Sequence, residues 1–229
     1  MVSKKSLKAS DFKRAGRDRR VETKNVRYYY LIVCEGTKTE PLYFKALVKQ
    51  LPIGVLSVCE FDIEGLGTNT ADLVTKAQEL AKKARHKTGR KVDKIWCVFD
   101  RDSFPKKNFN GAINTCNQTV EMEAAWTNEA FELWYLLHFN YVDSALSRKQ
   151  YGNKLSEALS AASKNKLLYK KNNPENHHLM TTLGSQELAI KFALRLEHKY
   201  GSDLDYSSHN PRTTVHKLIL EIFGLEEGL

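Results

Sequence analysis

The chain has 229 residues, 41% of them hydrophobic, 28% charged and 10% aromatic, with a formal net charge of +9. That length supports one good core with at most a small appended lobe, and the composition is ordinary for a soluble protein. No apolar run approaches the ~18 residues of a membrane span, and no apolar stretch follows the basic amino terminus, so the expected location is the cytoplasm, away from any membrane.

The charge is concentrated at the start. Residues 1–27 carry ten Lys and Arg against Asp11, Asp18 and Glu22, which places +7 of the +9 there. A leader over 1–26 this poor in apolar residues cannot fold alone and is expected to be disordered. It suits either phosphate binding through counterion release or plain solvation.

Tyr28–Cys34 is an uncharged run of aromatic and β-branched residues, which predicts a buried strand of a parallel sheet. Glu35 and Gly36 break it, and Thr39 is placed to cap a helix with Glu40 and Pro41 in its first turn. Glu35 then sits at the carboxyl end of a buried strand, where open α/β sheets bind ligands. A helical stripe over 42–51 ends at Pro52 and Gly54. Alternation predicts a second strand over 56–64, broken at Gly65 and Gly67. Thr68 or Asn69 caps the next helix, whose buried face is Leu73, Val74, Ala77, Leu80, Ala81 and Ala84. Residues 93–99 form a third, fully apolar strand that ends in Asp100-Arg101-Asp102.

A weakly patterned helix over 107–118 and a half-buried strand over 120–126, near the edge of the sheet, complete a β-α-β-α-β-α-β order. That order implies an α/β core over 27–127 with a largely parallel, Rossmann-like sheet flanked by helices. From Asn128 the pattern turns helical, over 130–141, 147–164, 186–200 and 212–223, with a polar segment at 166–184. These carboxyl-terminal helices, 128–229, are expected to pack on the core. Cys34, Cys59 and Cys97 fall in predicted strands and read as reduced and buried, and no Cys/His spacing fits zinc.

Two buried strands thus end in acid. If the first and third are neighbours, Glu35, Asp100 and Asp102 meet in one crevice. Such a cluster repels itself unless a cation sits there, and its hard oxygens suit Mg²⁺ or Mn²⁺. Gly36, Thr37 and Lys38 lie where a helix start can hold a phosphate, though Lys38 reads equally as a surface lysine. Arg101 is a candidate substrate-binding cation between the aspartates. Glu132 is a candidate further acid, Asn128 a helix cap with a lesser claim on substrate, and His138 a core histidine. His209, Arg212 and His216 either line a substrate path or are ordinary surface.

IVCEGTKTEPLYF, followed by CVFDRDSF, resembles a TOPRIM domain. Over nearly its full length, through NEAFELWYLLHF at 128–139 and NPRTTVHKL at 210–218, the chain resembles the RloB family of prokaryotic defence proteins. The resemblance implies a TOPRIM-like fold and a Mg²⁺-dependent nuclease acting on DNA or RNA, tRNA included, in anti-phage defence. Glu35 would be acid/base or metal ligand, and Asp100 and Asp102 metal ligands; beside them, Lys38 is a candidate catalytic cation from its position alone. An ATPase encoded beside it is an implied partner, and an oligomer is compatible. The alternative is a non-catalytic nucleic-acid-binding or regulatory subunit of that ATPase. Haloacid-dehalogenase-type phosphatases fit poorly because they need Asp-x-Asp after the first strand, whereas here it follows the third, and receiver domains because they need an early aspartate pair with a single phosphoacceptor on the third strand.

Overall fold

A computed structural model describes residues 28–102 and 105–224; the expected disordered leader lies outside the described residues. The elements are β1 (Tyr28–Cys34), α1 (Thr39–Lys49), α2 (Ile53–Val58), β2 (Cys59–Gly65), α3 (Thr70–Thr88), β3 (Lys94–Asp100), α4 (Lys106–Gln118) and β4 (Met122–Asn128). There follow α5 (Glu132–Leu137), α6 (Arg148–Ser163), α7 (Asn176–Leu183), α8 (Gln186–Tyr200), a 3₁₀ turn (Tyr206–Ser208), β5 (Arg212–Thr213) and α9 (Val215–Phe223).

The sheet order is β2-β1-β3-β4-β5. The first four strands run parallel, and β5 is antiparallel to β4. This is a Rossmann-like α/β sandwich, as the alternation of strands and helices predicts. Period-two geometry sorts β1 between two cores. Tyr29, Leu31 and Val33 face α3 and α4, together with Leu73, Ala77, Phe109 and Trp126. Tyr30, Ile32 and Cys34 face α1 and the later helices, in one contiguous cluster with Phe44, Trp134, Leu155, Leu196 and Leu218. The helices after residue 128 therefore bury their apolar faces against the same side of the sheet as α1.

Several local expectations change. The alternation at Leu56 and Val58 belongs to α2, a short helix behind Pro52, so β2 begins only at Cys59. The strand expected near the sheet edge, β4, is buried at six of seven positions: Met122, Ala124, Ala125 and Trp126 pack in the two cores, and β5 pairs with its last two residues, Thr127 and Asn128. That two-residue strand replaces the expected start of the last helix. Asn128 is the end of β4 rather than a helix cap. Lys38 is the N-cap residue of α1, with no side-chain cap bond, and Thr39 instead donates to Asn172 Oδ1 at 2.7 Å. Helix α7 arises inside the polar segment, where Leu179, Met180 and Leu183 give too short a stripe to show a period. Asn69 does cap α3 by accepting from the Asp72 N–H, and α6 opens with a Ser147/Gln150 capping box. Cys116 is buried on α4, and all four cysteines are free.

Candidate active site

The register of β1 against β3 builds the site. Cys34 pairs with Val98, and the Glu35 N–H extends the ladder by donating to the Val98 carbonyl at 2.8 Å. Glu35 therefore leaves its strand beside the end of β3. Its Oε2 accepts the Asp100 N–H at 3.3 Å, and its Oε1 accepts the Thr70 hydroxyl at 2.9 Å from the start of α3. Asp100 is 8% exposed; its Oδ2 accepts the Phe131 N–H at 3.0 Å, while its Oδ1 is buried with no hydrogen-bond partner. Asp102 has a positive φ of 35°, a conformation that aspartate adopts more readily than most residues. Its backbone N–H is held by the Glu129 carbonyl at 3.1 Å.

These groups line one crevice of about 330 Å³, together with Gly36, Thr37, Lys38, Thr39, Glu40, Gly67, Thr68, Arg148, Lys171 and Asn172. Three acids expected to meet do meet. Two more lie beside them. Glu40, on α1, is 8% exposed and folds over Gly36; Glu132, on α5, is 3% exposed and accepts the Tyr169 hydroxyl at 3.1 Å. The cations are Lys38 and Lys171 on the rim and Arg148, whose Nη2 is 3.2 Å from Asp102 Oδ2 and 3.9 Å from Asp100 Oδ2.

Burial and crowding raise the acids. Burial pushes the Glu35 carboxyl up to about 7, against the Thr70 hydroxyl and the Asp100 amide, which lower it. Asp100 is held well above its ordinary range by burial first, then by the charges of Glu40 and Glu132. Burial, with Glu132 adding to it, also raises Glu40. Buried carboxyl groups raised by burial and by one another's charges, one of them with an oxygen that has no hydrogen-bond partner, mark this crevice as a candidate functional site.

Gly65 shows why the sequence breaks where it does. A Cβ there would lie 2.6 Å from the Gly36 carbonyl oxygen, 2.7 Å from Pro41 Cγ and 3.0 Å from Thr37 Cα. The end of β2 thus fits against the loop that carries Glu35. Gly65→Ala is expected to cost about 1–3 kcal/mol through overpacking. It should also weaken any ligand of the crevice, which a thermal melt paired with a binding titration would detect. An unchanged melting temperature would mean that the loop yields freely.

Not every expected residue reaches the crevice. Arg101 lies beside it and donates from Nη1 to the Asp102 carbonyl at 3.0 Å. Asn128, 2% exposed, does not reach the crevice; its amide donates to the Ser207 carbonyl at 3.0 Å. His216 is fully buried, with Nε2 3.2 Å from Glu197 Oε2, so it takes part in a structural ion-pair network and not in the crevice lining. His209 and Arg212 belong to that same buried network, with Arg212 Nη1 2.9 Å from His209 Nδ1. His138 is a core residue, lowered to about 4 by burial and therefore neutral at pH 7. Glu40, Arg148 and Lys171 enter without having been singled out. Glu40 is legible in hindsight inside EGTKTE, whereas Arg148 and Lys171 lie in segments with no motif.

Among the described residues no three Asp, Glu, His or Cys side chains close into a ready-made metal cage. The donors nevertheless suit a hard cation. All are carboxylate oxygens, Asp100 Oδ1 is unspent, and Mg²⁺ keeps several waters that bridge to more distant ligands. No helix among the described residues is long and apolar enough to cross a membrane.

A family model described as RloB-like protein matches residues 30–222, most of the chain. No curated protein and no solved structure matches it.

Proposed function

The chain belongs to the RloB-like family, and from that premise we propose that it is a metal-dependent nuclease that hydrolyses phosphodiester bonds of DNA or RNA, tRNA included, in prokaryotic anti-phage defence. One observation carries the reading: the Asp100 N–H bonds to the Glu35 carboxylate, so acids from two adjacent parallel strands share a crevice whose rim is basic. The TOPRIM likeness of the same two motifs points the same way.

Asp100 and Asp102, with Glu35 beside them, would hold Mg²⁺ or Mn²⁺, and a bound ion would neutralise the scissile phosphate. Glu35 manages a proton. Its two oxygens are oriented by Thr70 and by the Asp100 amide, and a carboxyl near 7 exchanges protons at neutral pH. Lys38 and Lys171 on the rim attract phosphate oxygens without reading sequence.

The experiment is cleavage of labelled tRNA, single strands and duplexes with Mg²⁺ or Mn²⁺, by wild type and Glu35→Gln. Glu35 acts as a base when unprotonated, so the wild-type rate is expected to climb with pH and then level, with its midpoint below the metal-free value of about 7 because a bound cation favours the carboxylate. Glu35→Gln should lose about 10²-fold or more with its circular dichroism unchanged. A second reading, the binding or regulatory subunit of an ATPase, draws on Arg148, whose Nη2 lies 3.2 Å from Asp102 and 3.9 Å from Asp100. Nucleic-acid binding without cation binding, and with no cleavage of any substrate, would favour it.

A further inference from the structure

The electrostatics of the crevice are unfinished in a specific way. Four carboxyl groups (Glu35, Glu40, Asp100 and Asp102) line the crevice with Glu132 beside them, against the lining cations Lys38, Lys171 and Arg148, and among the described residues Arg148 lies within 4 Å of both aspartates. Its hold is partial. Its Nη2 is 3.2 Å from Asp102 Oδ2 and 3.9 Å from Asp100 Oδ2, and the second distance is longer than a hydrogen bond. The buried Arg148 Nε has no hydrogen-bond partner, and neither does the buried Asp100 Oδ1. Meanwhile the Ser147/Gln150 capping box fixes the backbone at the start of α6, so the guanidinium can change partner by side-chain rotation alone.

An unspent donor and an unspent acceptor thus sit together in a cleft. A cation alone would satisfy Asp100 Oδ1 and repel Arg148. An anion alone would satisfy Arg148 and be repelled by the carboxylates. A divalent cation paired with a phosphate oxyanion satisfies both.

We infer that Arg148 is a phosphate-binding residue of this crevice, parked on Asp102 until a divalent cation takes the aspartates and frees its guanidinium for the phosphate. The inference rests on the nuclease reading and names the residue that couples its two ligands. Linkage follows. Cation and phosphate each tighten the other, because each removes what opposes its partner.

The test uses Mn²⁺ and a cleavage-resistant phosphorothioate dodecathymidylate with the full chain at pH 8.5, where protons compete less for the carboxylates. Free Mn²⁺ is followed by electron paramagnetic resonance, so activity is not the readout. In wild type, saturating oligonucleotide is expected to tighten Mn²⁺ by tenfold or more. In Arg148→Gln, Mn²⁺ alone should bind at least threefold tighter than in wild type, because its competitor is gone. The oligonucleotide should then add less than threefold, with Arg148→Lys intermediate. Circular dichroism confirms the fold of both variants.

Equal coupling in wild type and Arg148→Gln, or weaker Mn²⁺ binding in the variant, would overturn the role of Arg148 and leave the nuclease reading standing. If wild type binds neither ligand, separately or together, both fall.

Discussion

Asp100→Asn is expected to abolish cation binding and metal-dependent cleavage while making the protein more stable. Asp100 is buried beside Glu40 and Glu132, and its carboxyl is raised by that burial and by their charges. Folding therefore places this carboxyl where burial and its acidic neighbours oppose the charged form. Asparagine keeps an oxygen to accept the Phe131 N–H, now met at 3.0 Å, and puts an NH₂ donor among acceptors. The loss of activity should reach about 10²-fold or more, the scale of removing one preorganised electrostatic group.

The gain in stability should be about 1–2 kcal/mol, which in a chain of this size is a rise of roughly 2–8 °C in melting temperature. The pH dependence has a definite sign. A carboxyl raised by folding binds more protons in the native state than in the unfolded one, so its contribution to stability falls as pH rises from the ordinary value toward the folded one. For Asp100 that fall begins near its ordinary value of 3.8. The gap in melting temperature between variant and wild type should therefore widen from pH 4 to pH 8. Calorimetric titration of Mn²⁺ and thermal melts across that range check both halves. A variant less stable than wild type at pH 8 would mean that the Asp100 carboxylate is structurally needed, and the acids would lose their standing as a strained functional cluster.

The sequence shows clearly where strands end and acids begin, and less clearly what surrounds them. Tyr28–Cys34 and Lys94–Asp100 are legible because continuous apolar runs have few homes other than the middle of a parallel sheet. Their adjacency was conditional in sequence terms, and the register of Cys34 with Val98 supplies it. Glu132 is legible only as a neighbour of the site, because in ELWYLL the five residues after it are all apolar and hide which face looks at the sheet. Arg148 and Lys171 are illegible, since a cation brought in from 46 or more residues away in the chain leaves no local pattern. β5 is illegible for another reason. Two residues cannot show a period, and their pairing is fixed by Thr214, whose hydroxyl accepts the Trp126 N–H at 2.9 Å across 88 residues.

That short strand is the basis of the other large effect. Arg212 on β5 is 5% exposed, donates from Nη2 to Glu197 Oε1 at 2.7 Å, and lies 5.2 Å over the Trp126 ring. Its neighbours in the ladder are the last residues of β4, and the Thr127 carbonyl in turn accepts the Arg101 N–H at 2.8 Å. The clamp thus sits behind the turn that carries Asp100 and Asp102. Arg212→Ala would leave Glu197, whose side chain is 19% exposed, with Lys217 at 3.0 Å and His216 at 3.2 Å as its remaining ion-pair partners among the described residues. Breaking a buried pair costs about 3–5 kcal/mol, here roughly 6–20 °C in melting temperature.

Arg212→Lys should recover little, because one ammonium cannot serve both Glu197 and His209 in the plane of the fork. Burial acts to raise the Glu197 carboxyl, but hydrogen bonds from His216 and Lys217 outweigh it and hold the group far below the ordinary range. A depressed carboxyl contributes stability above its unfolded value, near 4.5, and loses it as pH falls. The Arg212 pair at 2.7 Å needs the same carboxylate charged, so the penalty of Arg212→Ala should be full at pH 7 and shrink below pH 4.5. A second readout separates scaffold from site. At 10 °C, where the variant stays folded, weaker Mn²⁺ binding would mean that β5 holds the aspartate turn in position. A melting temperature that falls while Mn²⁺ affinity stays at the wild-type value would confine the clamp to stability.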